Sequence, residues 1–255
     1  MPPRAPNSAR IGPLPYDNRN HPMAKDLEGK RVAVTGAFGS LGAAVARTLQ
    51  AAGATVAAID RSQTPHAGTD LGAAQLFGGI DLGHTDSATS ALDSVAAKLG
   101  GLDALINIAG AFRWETLADG SPDTWDLLYT VNLRSAVAAC KAALPHLSKN
   151  ASGRIVNIGA AAAAKAGAGM GAYAASKAGV ARLTEALAEE LKDQRITVNA
   201  ILPSIIDTPP NRADMPKADF DRWVKPEQIA DVIVFLLSDR ASAITGASLP
   251  VVGRV

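Results

Sequence analysis

Seven short runs of β-branched and other apolar residues recur along the chain. They are RVAVTG (31–36), TVAAID (55–60), AQLFGGID (74–81), LDALINIAG (102–110), RIVNIG (154–159), RITVNAIL (195–202) and ASLPVVG (247–253). None alternates strictly between polar and apolar positions. Runs of that kind are strands buried on both faces, the habit of a parallel sheet. Between them lie alanine-rich stretches of helical character, near 40–52, 86–99, 122–149, 173–192 and 226–238. In one of these Leu183, Leu187 and Leu191 share a face. Pro122 and Pro226 fit first-turn positions, the latter followed by Glu227. Strand–helix alternation predicts one doubly wound α/β domain over residues 26–255, with helices on both faces of the sheet.

Residues 1–25 break this pattern. They are rich in Pro, Arg and Asn, lack the apolar stretch of a secretory signal, and read as a disordered extension. Met23 opens MAKDLEGKRVAVTG and stands as an alternative start. A length of 255 residues suits one large domain. A net charge of +1 gives no reason to expect a nucleic acid or an anionic membrane as partner. No apolar run approaches the about 20 residues of a membrane span. The single cysteine, Cys140, excludes an internal disulfide framework and fits a cytoplasmic protein. His21, His66, His84 and His146 are scattered, so no metal site is expected.

The chemistry begins at TGAFGSLG (35–42), where the first strand runs into a helix. A tight turn of small residues there brings backbone N–H groups and a helix N-terminus toward a pyrophosphate. It places Gly36, Phe38, Gly39, Ser40 and Leu41 at a dinucleotide. Asp60 ends the second strand, where a carboxylate accepts from both ribose hydroxyls and repels a 2′-phosphate. That favours NAD(H) over NADP(H), although Arg61 beside it pulls the other way. Asp81, followed by Leu82, stands either at the adenine edge or simply in a turn.

TGAFGSLG, NIAG (107–110), VNLRS (131–135), YAASK (173–177) and LPSIIDT (202–208) together resemble the short-chain dehydrogenase/reductase family, in its order and spacing, over roughly residues 28–253. The resemblance implies a single Rossmann-type domain with a seven-stranded parallel sheet, a nicotinamide dinucleotide, and a homodimer or homotetramer. It puts Asn132, Tyr173 and Lys177 at the catalytic positions. Asn107, Ala109 and Gly110 fall beside the cofactor, and Pro203, Ile206 and Thr208 in the segment that contacts the nicotinamide. The residues themselves agree. Tyr173 and Lys177 are i and i+4 on one helix face. A phenol of pKa about 10 needs help to exchange protons near neutrality, and a nearby ammonium favours its phenolate. Asn132 would hold a water that relays the proton outward.

Three departures from the family follow. Ser40 stands where its middle glycine usually is. Pro203-Ser204 replaces the usual Pro-Gly. Position 160, where the family's serine stands thirteen residues before the tyrosine, is alanine, within a run of five alanines. Loss of one oxyanion donor elsewhere costs about 2.7–4 kcal/mol. A substrate that develops no oxyanion would lose less, and a quinonoid imine is one. LPSIIDTPPNRADMPKADFDRW (202–223) and GAAAAAKAGAGMGAY (159–173) also resemble the dihydropteridine reductases of the family, which carry alanine at the same position, prefer NADH and reduce quinonoid dihydropterin. Around the small-molecule substrate, Phe112 and Trp114 either stack on a flat bicycle or pack in the core. Ala160 would face the substrate. Trp223 either faces it or packs the flap down. The leading expectation is an NADH-dependent reductase of a quinonoid dihydropteridine-like imine. The alternatives are a carbonyl reductase or alcohol dehydrogenase, including the 3-oxoacyl type, that works with Tyr173 and Lys177 but no serine, and a silent dinucleotide-binding sensor or scaffold.

Overall fold

The computed structural model describes residues 26–150 and 152–255, and the extension expected over residues 1–25 lies outside them. All seven expected strands form: β1 (Arg31–Thr35), β2 (Thr55–Ile59), β3 (Gln75–Phe77), β4 (Ala104–Asn107), β5 (Gly153–Ile158), β6 (Ile196–Pro203) and β7 (Ser248–Val251). They make one seven-stranded sheet in the order β3-β2-β1-β4-β5-β6-β7. Every neighbouring pair is parallel. β4 and β5 are buried at every position, as strands covered on both faces must be.

Side chains divide by parity between two cores. Val32, Val34 and Ile106 face α1 (Ser40–Ala51) and α7 (Pro226–Leu237). Ala33, Leu105 and Ile155 face α2 (Thr85–Leu99), α4 (Ser135–Leu147) and α5 (Gly171–Leu191), where Leu187 and Leu191 seal the layer. Each fully buried leucine or isoleucine contributes about 1.5–3 kcal/mol. Pro122 opens α3 (Pro122–Leu128) behind a Ser121 cap, and Pro226 opens α7.

Three expectations change. The run 74–81 yields only the short β3, because this edge strand pairs on one side and then turns at Gly79, with φ +74°. The stretch 122–149 is not one helix: α3 widens into a π-turn, Tyr129–Arg134, before α4 begins. A further short helix, α6 (Pro209–Asp214), rises within 202–223 behind a Thr208 cap.

A buried polar chain ties the sheet to α5. Asn107 Nδ2 donates to Asn157 Oδ1 (2.9 Å) and Cys140 Sγ (3.3 Å). Asn157 Nδ2 donates to Thr184 Oγ1 (2.9 Å), which in turn donates to Val180 O. Replacing the middle member, Asn157→Ala, leaves one Asn107 amide proton without its acceptor and the Thr184 oxygen without its donor. We expect a loss of stability of about 1–3 kcal/mol per stranded group in urea denaturation. A loss below about 0.5 kcal/mol would mean that the chain of amides contributes nothing.

Candidate functional site

The order of the sheet reverses between β1 and β4, and a cleft of about 450 Å³ opens at their carboxyl ends. Of the residues expected at a dinucleotide, Gly36, Phe38, Gly39, Ser40, Leu41, Asp60, Arg61, Asp81, Leu82, Ala109, Gly110 and Thr208 line it. Gly36 has φ +65°, and a Cβ there would lie 2.7 Å from Ala109 N. A Cβ on Gly42 would lie 2.6 Å from Ala37 Cα, so α1 starts against the turn only because position 42 is glycine. Thr35 fastens the two strand ends, its hydroxyl accepting from Ile108 N (3.1 Å) and Ala109 N (3.2 Å). Gly39 is the N-cap of α1 and no side chain caps it, which leaves first-turn N–H groups for an anion. The Asp60 carboxylate accepts from Phe38 N (3.0 Å) and from Ser62 N (2.9 Å), so it holds the loop while facing the cleft. The Asp81 Oδ1 accepts from Gly83 N in a turn, and the residue also lines the cleft. Uncapped N–H groups, room made by glycines and one carboxylate past β2 fit a nicotinamide dinucleotide.

Other members fall elsewhere. The Asn107 side chain turns into the sheet, and its Oδ1 is buried with no partner among the described residues. Pro203 pairs with Val251 in the sheet and Ile206 bridges to Val224, both outside the cleft lining. Conversely Ser62, His66, Ile80, Thr130 and Ser135 line the cleft without having been expected there. Ile80 and Ser135 lie within segments that were read, and Thr130 borders one. His66 lies in a loop with no signal.

The Tyr173–Lys177 pair sits on the first turns of α5. Lys177 is 5% exposed and its Nζ donates to Ile158 O (2.7 Å). Burial disfavours the ammonium and pushes its pKa down to about 8. A Cβ on Gly110 would lie 3.4 Å from that Nζ, so the amine sits behind Gly110, while neither Lys177 nor Tyr173 is itself among the residues that line the cleft. Tyr173 is half-buried, and burial raises its pKa. In the free chain burial outweighs the neighbouring ammonium at the phenol. Among the described residues no group hydrogen-bonds the Tyr173 hydroxyl.

Asn132 ties two segments together. On the π-turn its Oδ1 accepts from Ala111 N (2.8 Å), and its Nδ2 donates to Ala111 O (3.0 Å) and Ser176 Oγ (2.9 Å). Both amide protons are used, so the side chain fixes the strand-end loop to α5. Ala160 is 5% exposed, and its methyl stands where the expected hydroxyl is absent. The hydroxyls of Ser176 and Ser204 are committed to Tyr173 O (2.7 Å) and Val252 O (2.8 Å).

The aromatic residues separate. Trp223 is 6% exposed and packs on Phe220, ring centroids 4.9 Å apart, so it holds the flap down and does not face a substrate. Arg212 lies over the Phe220 ring, 4.6 Å from its centroid, and pairs with Asp207 (2.5 Å). Phe112 and Trp114, by contrast, are not core: they are 53% and 63% exposed. Among the described residues no group of three or more His, Cys, Asp or Glu is arranged to hold a metal. None of the described helices is long and apolar enough to cross a membrane.

The family profile described as Enoyl-(Acyl carrier protein) reductase matches residues 36–253. The chain is 33% identical over 240 residues to the 3-oxoacyl-(acyl-carrier-protein) reductase FabG of Thermotoga maritima, spanning 89% of this chain and 98% of the relative. Among solved structures, a short-chain type dehydrogenase/reductase from Mycobacterium ulcerans superposes with a TM-score of 0.83 at 27% identity, covering 89% of this chain and 90% of that one. An NAD+-bound xylitol dehydrogenase superposes equally, with a TM-score of 0.83 at 27% identity over 90% of this chain and 100% of that one.

The depressed Lys177 pKa sets a window of pH. Below about 8 both states hold the proton and the fold bears the cost of burying it. Between about 8 and 10.5 only the unfolded chain keeps it, so stability rises with pH through that window. Urea unfolding at a series of pH values should show this rise in the wild type and a flatter profile in Lys177→Met. Parallel profiles for the two proteins would mean that the amine is not desolvated.

Proposed function

The chain belongs to the short-chain dehydrogenase/reductase family of NAD(P)-dependent oxidoreductases, and from that premise we propose that it uses NADH to reduce a quinonoid dihydropterin-like imine. The observation that carries this reading is the buried alanine at position 160, together with a Tyr173 hydroxyl that no group among the described residues hydrogen-bonds. A carbonyl taking up hydride builds an alkoxide, which two donors stabilise better than one. A conjugated imine taking up hydride and one proton becomes a neutral amine, for which one donor suffices.

A bound reduced nicotinamide supplies the hydride. Tyr173 gives the proton; burial raises its pKa and keeps the phenol protonated, so the transfer depends on stabilising the phenolate that forms. Lys177 shares its helix face and carries its charge below about pH 8, favouring the phenolate left after transfer. Asn132 is a positioning residue that keeps Ala111 against α5. Asp60 disfavours a 2′-phosphate and so selects NADH over NADPH. The flap of residues 202–223, with its resemblance to the dihydropteridine reductases, supports the same substrate.

The test supplies chemically generated quinonoid dihydropterin and follows NADH consumption. Turnover should exceed the uncatalysed background, be faster with NADH than with NADPH, and fall by about 100-fold or more in Tyr173→Phe. A rate equal to background removes the pterin assignment.

A second reading, carbonyl reduction by Tyr173 without a serine, is favoured by the 3-oxoacyl reductase among the relatives. Under it, Ala160→Ser restores the missing donor, and carbonyl turnover should rise by at least about tenfold. No gain with ketone and 3-oxoacyl substrates counts against it.

A further inference from the structure

β2 and β3 are neighbours and run parallel, so the chain must cross the sheet from the end of one to the start of the other. Such crossovers ordinarily carry a helix that packs on the sheet. Residues 60–74 form neither helix nor strand, a stretch long enough to wander unless something holds it. Its first half lies on the cleft, where Asp60, Arg61, Ser62 and His66 are all lining residues. At the strand ends Ser62 O accepts from Gly79 N (3.0 Å) and Asp60 O from Ile80 N (3.0 Å). The hold on the far half comes from α1. Gln50 Nε2 donates to Leu71 O (2.9 Å), and Gln50 Oε1 accepts from Ala73 N (2.6 Å). The same Nε2 donates to Ala46 O (2.8 Å), one turn back on α1, which fixes the direction of the amide. Gly72, between the two anchored residues, has φ +57°, and a Cβ there would lie 2.8 Å from Gln50 Oε1, so the loop bends tightly round the amide. Arg47, on the same side of α1, donates to Asp70 O (2.8 Å). The Leu71 side chain is 6% exposed in the core that α1 shares.

We propose that Gln50, which does not line the cleft, is the positioning residue for the adenosine end of the dinucleotide site. With Arg47 it holds residues 60–74 in place of a crossover helix, and so presets Arg61 and His66 before the cofactor arrives. An amide suits the task because it donates and accepts at once, taking one carbonyl and one N–H of the loop. A wall fixed in advance loses less freedom when a ligand binds against it. The inference rests on the dinucleotide reading of the cleft, and it adds what keeps the outer wall of that cleft in position.

Gln50→Met keeps the length of the side chain and removes both bonds to the loop. Gln50→Glu keeps an acceptor for Ala73 N. Arg47→Ala releases Asp70 O alone. ADP-ribose, which has the adenosine end and no nicotinamide, is titrated into each by calorimetry, and amide hydrogen exchange is followed in the ligand-free proteins. In Gln50→Met, exchange across residues 61–74 should quicken by about tenfold, the equivalent of one or two lost hydrogen bonds, while β4 and β5 exchange as in wild type. The Kd for ADP-ribose should weaken by about tenfold in Gln50→Met and by less in Gln50→Glu and Arg47→Ala. Faster exchange with an unchanged Kd would mean that the amide holds the loop for stability alone, and would overturn the positioning role. Unchanged exchange in the loop, or faster exchange throughout the sheet, would overturn the hold itself. A wild type that binds no ADP-ribose would remove the dinucleotide reading and the role of Gln50 with it, even where exchange shows the loop still held.

Discussion

Where β1 and β4 end side by side, the two backbones meet with room for hydrogen atoms alone. Gly36 faces Ala109 across a gap that no Cβ fits, and Gly42 is packed just as tightly against Ala37. This close approach is what turns the loop after β1 toward the cleft. Thr35 spends its hydroxyl on the N–H groups of Ile108 and Ala109, and Asp60 spends its carboxylate on Phe38 and Ser62. The ends of β1, β2 and β4 become one block, and the loop is held by side chains that leave its own first-turn donors free. A site for a charged ligand built this way loses little entropy on binding, because the donors are already fixed.

The polar groups beneath the substrate end of the cleft follow the opposite economy. Lys177 and Asn132 are buried, and each is held by named partners: Ile158 O for the amine, Ala111 and Ser176 for the amide. Burial moves both titratable groups of the pair toward their neutral forms, the lysine downward and the tyrosine upward. Desolvation alone accounts for both shifts.

Much of this was legible in the sequence, and the failures have particular causes. Strands β1, β2, β4, β5 and β6 announce themselves because both faces are apolar. The run 74–81 carries the same composition, but an edge strand with a single neighbour ends where Gly78 and Gly79 let the chain turn. The π-turn at 129–134 leaves no mark in periodicity, since it follows from the need to aim Asn132 at residues 21 and 44 positions away. Asn107 belongs to a recognisable motif, yet its direction depends on Asn157 and Cys140, which only the folded sheet brings near. Trp114 and Trp223 are the same residue type in similar polar company. Nothing local distinguishes the indole that stays open over Gly169 from the one that buries itself on Phe220.

The alanine at position 160 is a stronger feature in the fold than in the sequence. Gly159 before it donates to Ile201 O (2.8 Å), and a Cβ there would strike Leu202 Cδ2 at 2.5 Å. Ile158, one residue further back, gives its carbonyl to Lys177, and Ala160 O takes the N–H of Ala163. The direction of residue 160 is therefore set by backbone on both sides, and a rotamer change cannot bring another group into its place. Ser176 and Ser204, whose hydroxyls might have covered for it, donate to carbonyls whose loss would strand acceptors elsewhere. The absence of a hydroxyl at position 160 is thus a property of one side chain on a fixed frame. On the proposed reading, chemistry that needs a second donor requires a change at that position, and chemistry that needs only the phenol does not.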